Sequence, residues 1–317
     1  MSVFTQLELG DFERASDRIR SSIRQTPLLK AKRLFHNPLP SSQLFLKLEN
    51  LQPTGSFKIR GAMNTLSLLN EEEKKRGLIT ASGGNHGLAV AYAAFMAKVP
   101  SLIFLPTTTP KQKIEKLNSW GATTRVTGDV WDESNQAALE EAKENEMTYV
   151  HPFADVRVIQ GQGTIALEVI KSVPKLDTLV VAVGGGGLIA GIAAAAKNIK
   201  PNIRVIGVEP VGAPTHFRSR AAGKVIKLDK VDTQAGTLAP KKTEILNFEL
   251  IQEYVDDLIL VDDMSMQKAA EWLWFEFGVA AELSGAASIA ALSDKVFETG
   301  PRNVCSIICG SGTDGIP

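Results

Sequence analysis

Short uninterrupted apolar runs alternate along this chain with longer stretches in which apolar residues recur at helical spacing. The runs Leu44–Leu48, Leu78–Ala81, Ser101–Leu105, Thr123–Val126, Thr178–Val183, Arg204–Val208 and Asn303–Cys309 predict strands, most of them too uniformly apolar to have a solvated face. Helices are predicted over Asp11–Arg24, Ser56–Leu69, His86–Ala97, Lys111–Trp120, Glu133–Glu144, Val156–Val173, Leu188–Asn198, Met264–Phe277 and Gly285–Ser293. Strand and helix in alternation are the mark of an α/β protein with mostly parallel sheets covered by helices on both faces. The stretch from Leu78 to Tyr149 reads as a β/α series of its own, flanked by the polar run Asn70–Gly77 and by His151-Pro152-Phe153. This predicts a large domain from residues 1–76 and 153–317, with a small mobile domain at 77–152 inserted into it.

Composition narrows the function. The 317 residues are 44% hydrophobic and carry 35 basic and 35 acidic side chains, with no charged block. Nucleic acid and anionic membranes are therefore poor partners. The charge balance also suggests surface buried in a homo-oligomer, a dimer being expected. The N-terminus has no basic and apolar leader pattern, and no run of about 18 uncharged apolar residues occurs, so a cytoplasmic protein is expected. With the sequence ending at Pro317, feedback control through a C-terminal effector domain is not expected. Cys305 and Cys309 lie in an apolar strand, and the four histidines show no ligand spacing, so no metal site is expected.

Three segments carry chemistry. The apolar run Thr178–Val183 leads directly into four glycines, Gly184, Gly185, Gly186 and Gly187, and then into a helix opening at Leu188. Glycines at such a turn let backbone N–H groups approach a phosphate, and the helix dipole adds to the attraction. Gly184, Gly186 and Gly191 with Glu209 also approach a dinucleotide fingerprint, but at G-x-G-x-x-x-x-G spacing. Lys58 decides between the two. It follows the turn Pro53-Thr54-Gly55, with Ser56 as a helix cap, in the first turn of a helix, where the dipole disfavours an ammonium. A neutral amine there suits Schiff-base formation with an aldehyde, and an aldehyde with a phosphate tail is pyridoxal 5'-phosphate. The third segment, Ser82-Gly83-Gly84-Asn85-His86, begins another helix and offers N–H groups and a hydroxyl to a substrate carboxylate.

In order and spacing, the segments Lys47–Ala62, Ser82–His86 and Gly184–Gly187 resemble the fold-type II pyridoxal-phosphate enzymes of the threonine/serine dehydratase and serine racemase family, and the likeness spans nearly the whole chain. The resemblance implies that Lys58 bears the cofactor, that Gly184–Gly187 with Leu188 hold its phosphate, and that Asn85 contacts its ring oxygen. Phe57 either packs at the cofactor's edge or anchors its helix. Glu282 matches a position close to the cofactor, or simply opens the helix at Gly285. Cys309, with Ser311 as the alternative, matches the neutral partner of the pyridine nitrogen. Two departures bear on the reaction. Gly83 stands where the racemases have a serine that acts as acid and base on the face opposite the lysine. Thr215 stands where their cation site has an aspartate, although Glu209 and Ala213 match. The family reading is therefore an ammonia-lyase that converts L-threonine or L-serine to a 2-oxo acid and ammonia. Racemisation and, more remotely, nicotinamide-dependent oxidoreduction are the alternatives.

Overall fold

The structure, a computed structural model, describes residues 7–292 and 302–317. Its strands are β1 (Leu28–Lys30), β2 (Gln43–Lys47), β3 (Leu78–Ala81), β4 (Ser101–Leu105), β5 (Thr123–Val126), β6 (Thr148–Tyr149), β7 (Thr178–Ala182), β8 (Arg204–Pro210), β9 (Asp257–Val261) and β10 (Asn303–Ile307). They form a six-stranded sheet in the order β1-β2-β10-β7-β8-β9 and a four-stranded sheet in the order β5-β4-β3-β6. Every pairing is parallel except that of the edge strand β1 with β2. Strands β3, β4 and β7 are buried along their whole length, as their unbroken apolar runs require.

The helices are α1 (Leu9–Ile19), α2 (Lys58–Ser67), α3 (Glu71–Arg76), α4 (Asn85–Ala97), α5 (Lys111–Ser119), α6 (Trp131–Glu144), α7 (Val156–Ser172), α8 (Gly187–Ile199), α9 (Thr215–Ala222), α10 (Ile245–Tyr254), α11 (Asp263–Phe277) and α12 (Leu283–Ala290). Among the described residues no helix is long and apolar enough to cross a membrane. One core surrounds the large sheet from Phe12 and Leu46 to Ile307. A second, with Ile59, Leu78, Ala89 and Val158, joins α2 and α7 to the four-stranded sheet.

Each predicted element is present with shifts of a few residues at its ends, and Ser293, the last residue of one predicted helix, lies outside the described residues. Six elements lacked a readable pattern. Strands β1 and β6 are only three and two residues long, and β9 is half-buried over most of its length. Helix α3 has no buried residue, so it shows no apolar stripe; Asn70 and Glu73 cap it reciprocally. Helices α9 and α10 also went unread. Ser56 corrects a local expectation. It does not cap α2, whose cap position is Phe57, but forms a β-bridge with Gly310 that ties the C-terminal segment to the helix carrying Lys58.

Candidate active site

The parallel strands set out the site. Lys58 follows β2, the glycine quartet follows β7 and Cys309 follows β10; these three are neighbours in the large sheet. In the small sheet, Ser82–His86 follow β3 and His151–Phe153 follow β6. Ligands of open α/β sheets bind at such carboxyl ends. Here the ends of both sheets line one cleft of about 750 Å³, a volume suited to a small molecule. Phe57, Lys58, Ser82, Gly83, Gly84, Asn85, His86, Gly185, Gly186, Gly187, Leu188, Glu282 and Cys309 all line it. Gly184 does not line it; with φ +55° it turns the chain at the end of β7.

The quartet is a rigid cradle. Gly186, at φ +96°, occupies the cap position of α8, so the first N–H groups of that helix are left without a side-chain cap. A Cβ on Gly185 would lie 2.3 Å from the Phe153 ring, and one on Gly187 would lie 2.5 Å from the Phe153 carbonyl. Asn247 Nδ2 donates to the carbonyls of Gly185 (2.9 Å) and Phe153 (3.1 Å), and Thr243 Oγ1 also donates to Gly185 (3.1 Å). His151 fixes the same turn, its Nδ1 accepting from the N–H of Phe153 (3.1 Å) and Ala154 (2.7 Å). Burial lowers the His151 pKa to about 4, so the ring is neutral and accepts at Nδ1.

Lys58 reaches the same turn from the other side. Its Nζ donates to the Pro152 carbonyl at 2.7 Å, and its ammonium lies 5.1 Å from the centre of the Phe57 ring. The Pro152–Phe153 dipeptide thus touches both the lysine and the quartet. Burial brings the Lys58 pKa down to about 8, against the opposing pull of Cys309 and Glu282. Burial thus gives this lysine a larger neutral fraction than an exposed one would have.

Around them lie polar groups. Asn85 Nδ2 donates to Glu282 Oε1 at 2.9 Å, joining the start of α4 to the start of α12, and Thr237 Oγ1 donates to the same oxygen at 3.3 Å. Burial raises the Glu282 carboxyl to about 6, although these donors hold it down. The Cys309 thiol contacts the Ser284 carbonyl at 3.4 Å, and burial pushes its pKa up, so it is an un-ionised donor. Ser311 is exposed, with its Oγ beside Gly55, and does not line the cleft. The His86 ring donates from Nε2 to the Val150 carbonyl at 2.9 Å, and burial holds its pKa near 3. Glu209 accepts from the N–H groups of His216 (2.9 Å) and Phe217 (2.7 Å), fastening the start of α9, and burial raises its carboxyl to about 7.

Sequence reasoning missed Asn247, Thr243 and Thr237, and it read His151-Pro152-Phe153 only as a boundary. Asn247 and Thr243 come from a region with no recognised motif. A histidine followed by Pro-Phe where a strand ends was the one local signal available.

The residues fit a phosphorylated aldehyde: a glycine cradle open at a helix N-terminus and a desolvated amine share one turn. The family model described as pyridoxal-phosphate dependent enzyme matches residues 19–310. The chain belongs to that family. It is 38% identical over 308 residues to the L-threonine ammonia-lyase of Thermotoga maritima, covering 97% of this chain and 76% of that protein. It is 35% identical over 317 residues to the serine racemase of Arabidopsis thaliana, covering 97% and 93%. Among solved structures, processed threonine deaminase isoform 2 from Solanum lycopersicum superposes with a TM-score of 0.90 at 34% identity, covering 98% of this chain and 92% of that one. The fold is therefore that of the fold-type II pyridoxal-phosphate enzymes.

Proposed function

We propose that the protein is an ammonia-lyase acting on L-threonine, L-serine or both, releasing a 2-oxo acid and ammonia. The observation that carries this reading is the shared contact of Lys58 and the glycine quartet with Pro152–Phe153. Lys58 would bear pyridoxal phosphate through its amine. The N–H groups of Gly185, Gly187 and Leu188 would hold the phosphate; Gly184 would shape their turn, as would Gly186, whose N–H donates to the Val183 carbonyl at 3.0 Å. Phe57 and Asn85 would flank the ring, and the Cys309 thiol would face its nitrogen. Bound there, the cofactor supplies an electron sink for charge left at the substrate Cα.

The backbone of Ser82–His86, with the Ser82 hydroxyl, binds the substrate carboxylate at the start of α4. The Lys58 amine, free once the substrate amine has taken its place and with its pKa lowered by burial, takes the Cα proton. The β-hydroxyl leaves as water with a proton equivalent to the one taken from Cα, and one water then hydrolyses the unsaturated amine product to the 2-oxo acid and ammonia. A neutral thiol at the ring nitrogen, in place of a carboxylate, favours this prompt elimination. Residues 77–152 act as a mobile unit that closes over substrate and excludes water. The working form is a cytoplasmic homodimer.

The serine racemase relatives make racemisation the second reading. Gly83 argues against it, since it has no proton to deliver to the opposite face. A Cβ there would also lie 2.7 Å from Thr109 Oγ1, so a serine does not fit without displacing Thr109. The test is a panel of hydroxy amino acids assayed for 2-oxo acid, with chiral analysis of the residual substrate. The ammonia-lyase reading expects 2-oxo acid from L-threonine or L-serine, abolished in Lys58→Ala. Accumulation of D-enantiomer without 2-oxo acid would overturn it.

A further inference from the structure

The segment Lys47–Ala62 holds three other ionisable side chains, Lys47, Glu49 and Arg60, that the chemistry above does not use. All three are fully buried in one network. Arg60 spends its five N–H donors there. Nε and Nη2 donate to Glu49 at 2.7 Å each, Nη1 to Thr164 Oγ1 (3.0 Å) and Glu168 Oε1 (2.7 Å), and Nη2 also to Glu168 Oε2 (3.1 Å). Lys47 Nζ donates to the Thr26 carbonyl at 2.8 Å and to Glu168 Oε2 at 2.5 Å. Thr26 Oγ1 and Gln52 Nε2 complete the shell of Glu49 at 2.5 and 3.2 Å. The charges of Arg60 and Lys47 balance those of Glu49 and Glu168.

Such a network is a poor device for stability, because desolvating four charges costs about as much as their pairing returns. Its position suggests another use. Arg60 lies two residues after Lys58, and residues two apart on a helix project from nearly opposite faces. Lys58 faces the cleft while Arg60 faces the network on α7. Elsewhere α2 meets α7 backbone to backbone: a Cβ on Gly161 would lie 2.6 Å from the Arg60 carbonyl and 2.8 Å from Gly61 Cα. Helix α7 meets α8 in the same way, since a Cβ on Gly163 would lie 2.7 Å from the Gly191 carbonyl. Helix α7 is therefore the spacer between the helix bearing Lys58 and the helix bearing the phosphate cradle. Glycine faces set its distance from each, while side chains set the rotation of α2: Asn64 Nδ2 donates to the Arg157 carbonyl at 2.6 Å one turn further on, and Arg60 does so in the first turn, to Glu168.

We propose that Arg60 is a positioning residue for Lys58, its fork on Glu49 and Glu168 fixing the rotation of the first turn of α2 and so the aim of the amine at the cofactor seated on the quartet. The proposal rests on the reading of Lys58 as the cofactor-bearing lysine. Arg60→Lys keeps the charge but removes the planar fork. Glu168→Gln, at a side chain 16% exposed, is the milder second variant. For both, kcat and KM for L-threonine are measured, with the dissociation constant for pyridoxal phosphate, the pH titration of the bound cofactor's visible absorbance, and the thermal midpoint of the cofactor-free protein.

A misaimed amine predicts kcat lower by about ten- to a hundredfold in Arg60→Lys with KM within about threefold. It also predicts a displaced absorbance titration and weaker cofactor binding. The same changes, smaller, are expected in Glu168→Gln. A lower thermal midpoint with parental kcat and a parental absorbance titration would show a purely structural role and overturn the proposal. If Arg60→Lys does not fold, Glu168→Gln decides by the same criteria. A parent chain that takes up no pyridoxal phosphate would overturn the reading of Lys58 itself, and the positioning role with it.

Discussion

The two glycine loops of the cleft have the same local plan, a strand ending in glycines that start a helix, yet they are held very differently. The quartet between β7 and α8 is closed in by Phe153, and the Gly185 carbonyl receives two side-chain donors. The Ser82–Asn85 turn between β3 and α4 is only half-buried. Its side-chain hydrogen bonds are a Gly84 N–H donated to Ser82 Oγ at 3.2 Å and the Asn85–Glu282 contact, beside a backbone bond from the Ser82 N–H to the Phe104 carbonyl at 3.1 Å. The difference matches the two ligands assigned to them. A cofactor that stays is served by a cradle organised before it arrives, whereas a substrate that must enter and leave is served by a loop free to adjust.

Lys58 joins the two halves, so its loss has the largest expected effect. Lys58→Ala should lower 2-oxo acid release by about 10³-fold or more, checked by steady-state assay. The comparison then sharpens on affinity. Gly185→Ala drives a methyl group against Phe153, and overpacking of about 1–3 kcal/mol weakens cofactor binding roughly ten- to a hundredfold, measured by equilibrium dialysis. Next comes pH. Only the neutral amine captures an aldehyde, so below the Lys58 pKa of about 8 the capture rate should fall about tenfold per pH unit, and above it the rate should level off. Stopped-flow absorbance on cofactor-free protein reads this directly; a rate still climbing as steeply above pH of about 9 would show an unshifted lysine. The smallest effect belongs to the looser loop. Ser82→Ala should raise KM about fivefold, the value of one hydrogen bond, with cofactor affinity unchanged. Equal losses of cofactor affinity in Gly185→Ala and Ser82→Ala would dissolve the contrast.

Much of this was readable because it is local. The quartet sits between an unbroken apolar run and an alanine-rich helix, and Lys58 sits among a turn and a helix start, so a few consecutive residues carry each signal. The supports were not readable, because they act at a distance. Asn247 meets Gly185 across 62 positions and Arg60 meets Glu168 across 108. Nothing near Asn247 marks it, since α10 has few buried positions and its apolar spacing gives no clear stripe. Cys309 shows the intermediate case. The family pattern put it first with Ser311 as the alternative, and the course of the chain after β10 brings the thiol to the cleft and leaves the serine outside.

The central claim is that one particular lysine captures the cofactor, and the cleft itself offers competitors, since Lys227, Lys241 and Lys242 also line it. The protein is incubated with pyridoxal phosphate, reduced with borohydride, digested, and the pyridoxyl-bearing peptide identified by mass spectrometry. The account predicts a single modified residue, Lys58, at near-stoichiometric yield. Stable modification of any of the other three, with Lys58 unlabelled, would contradict it.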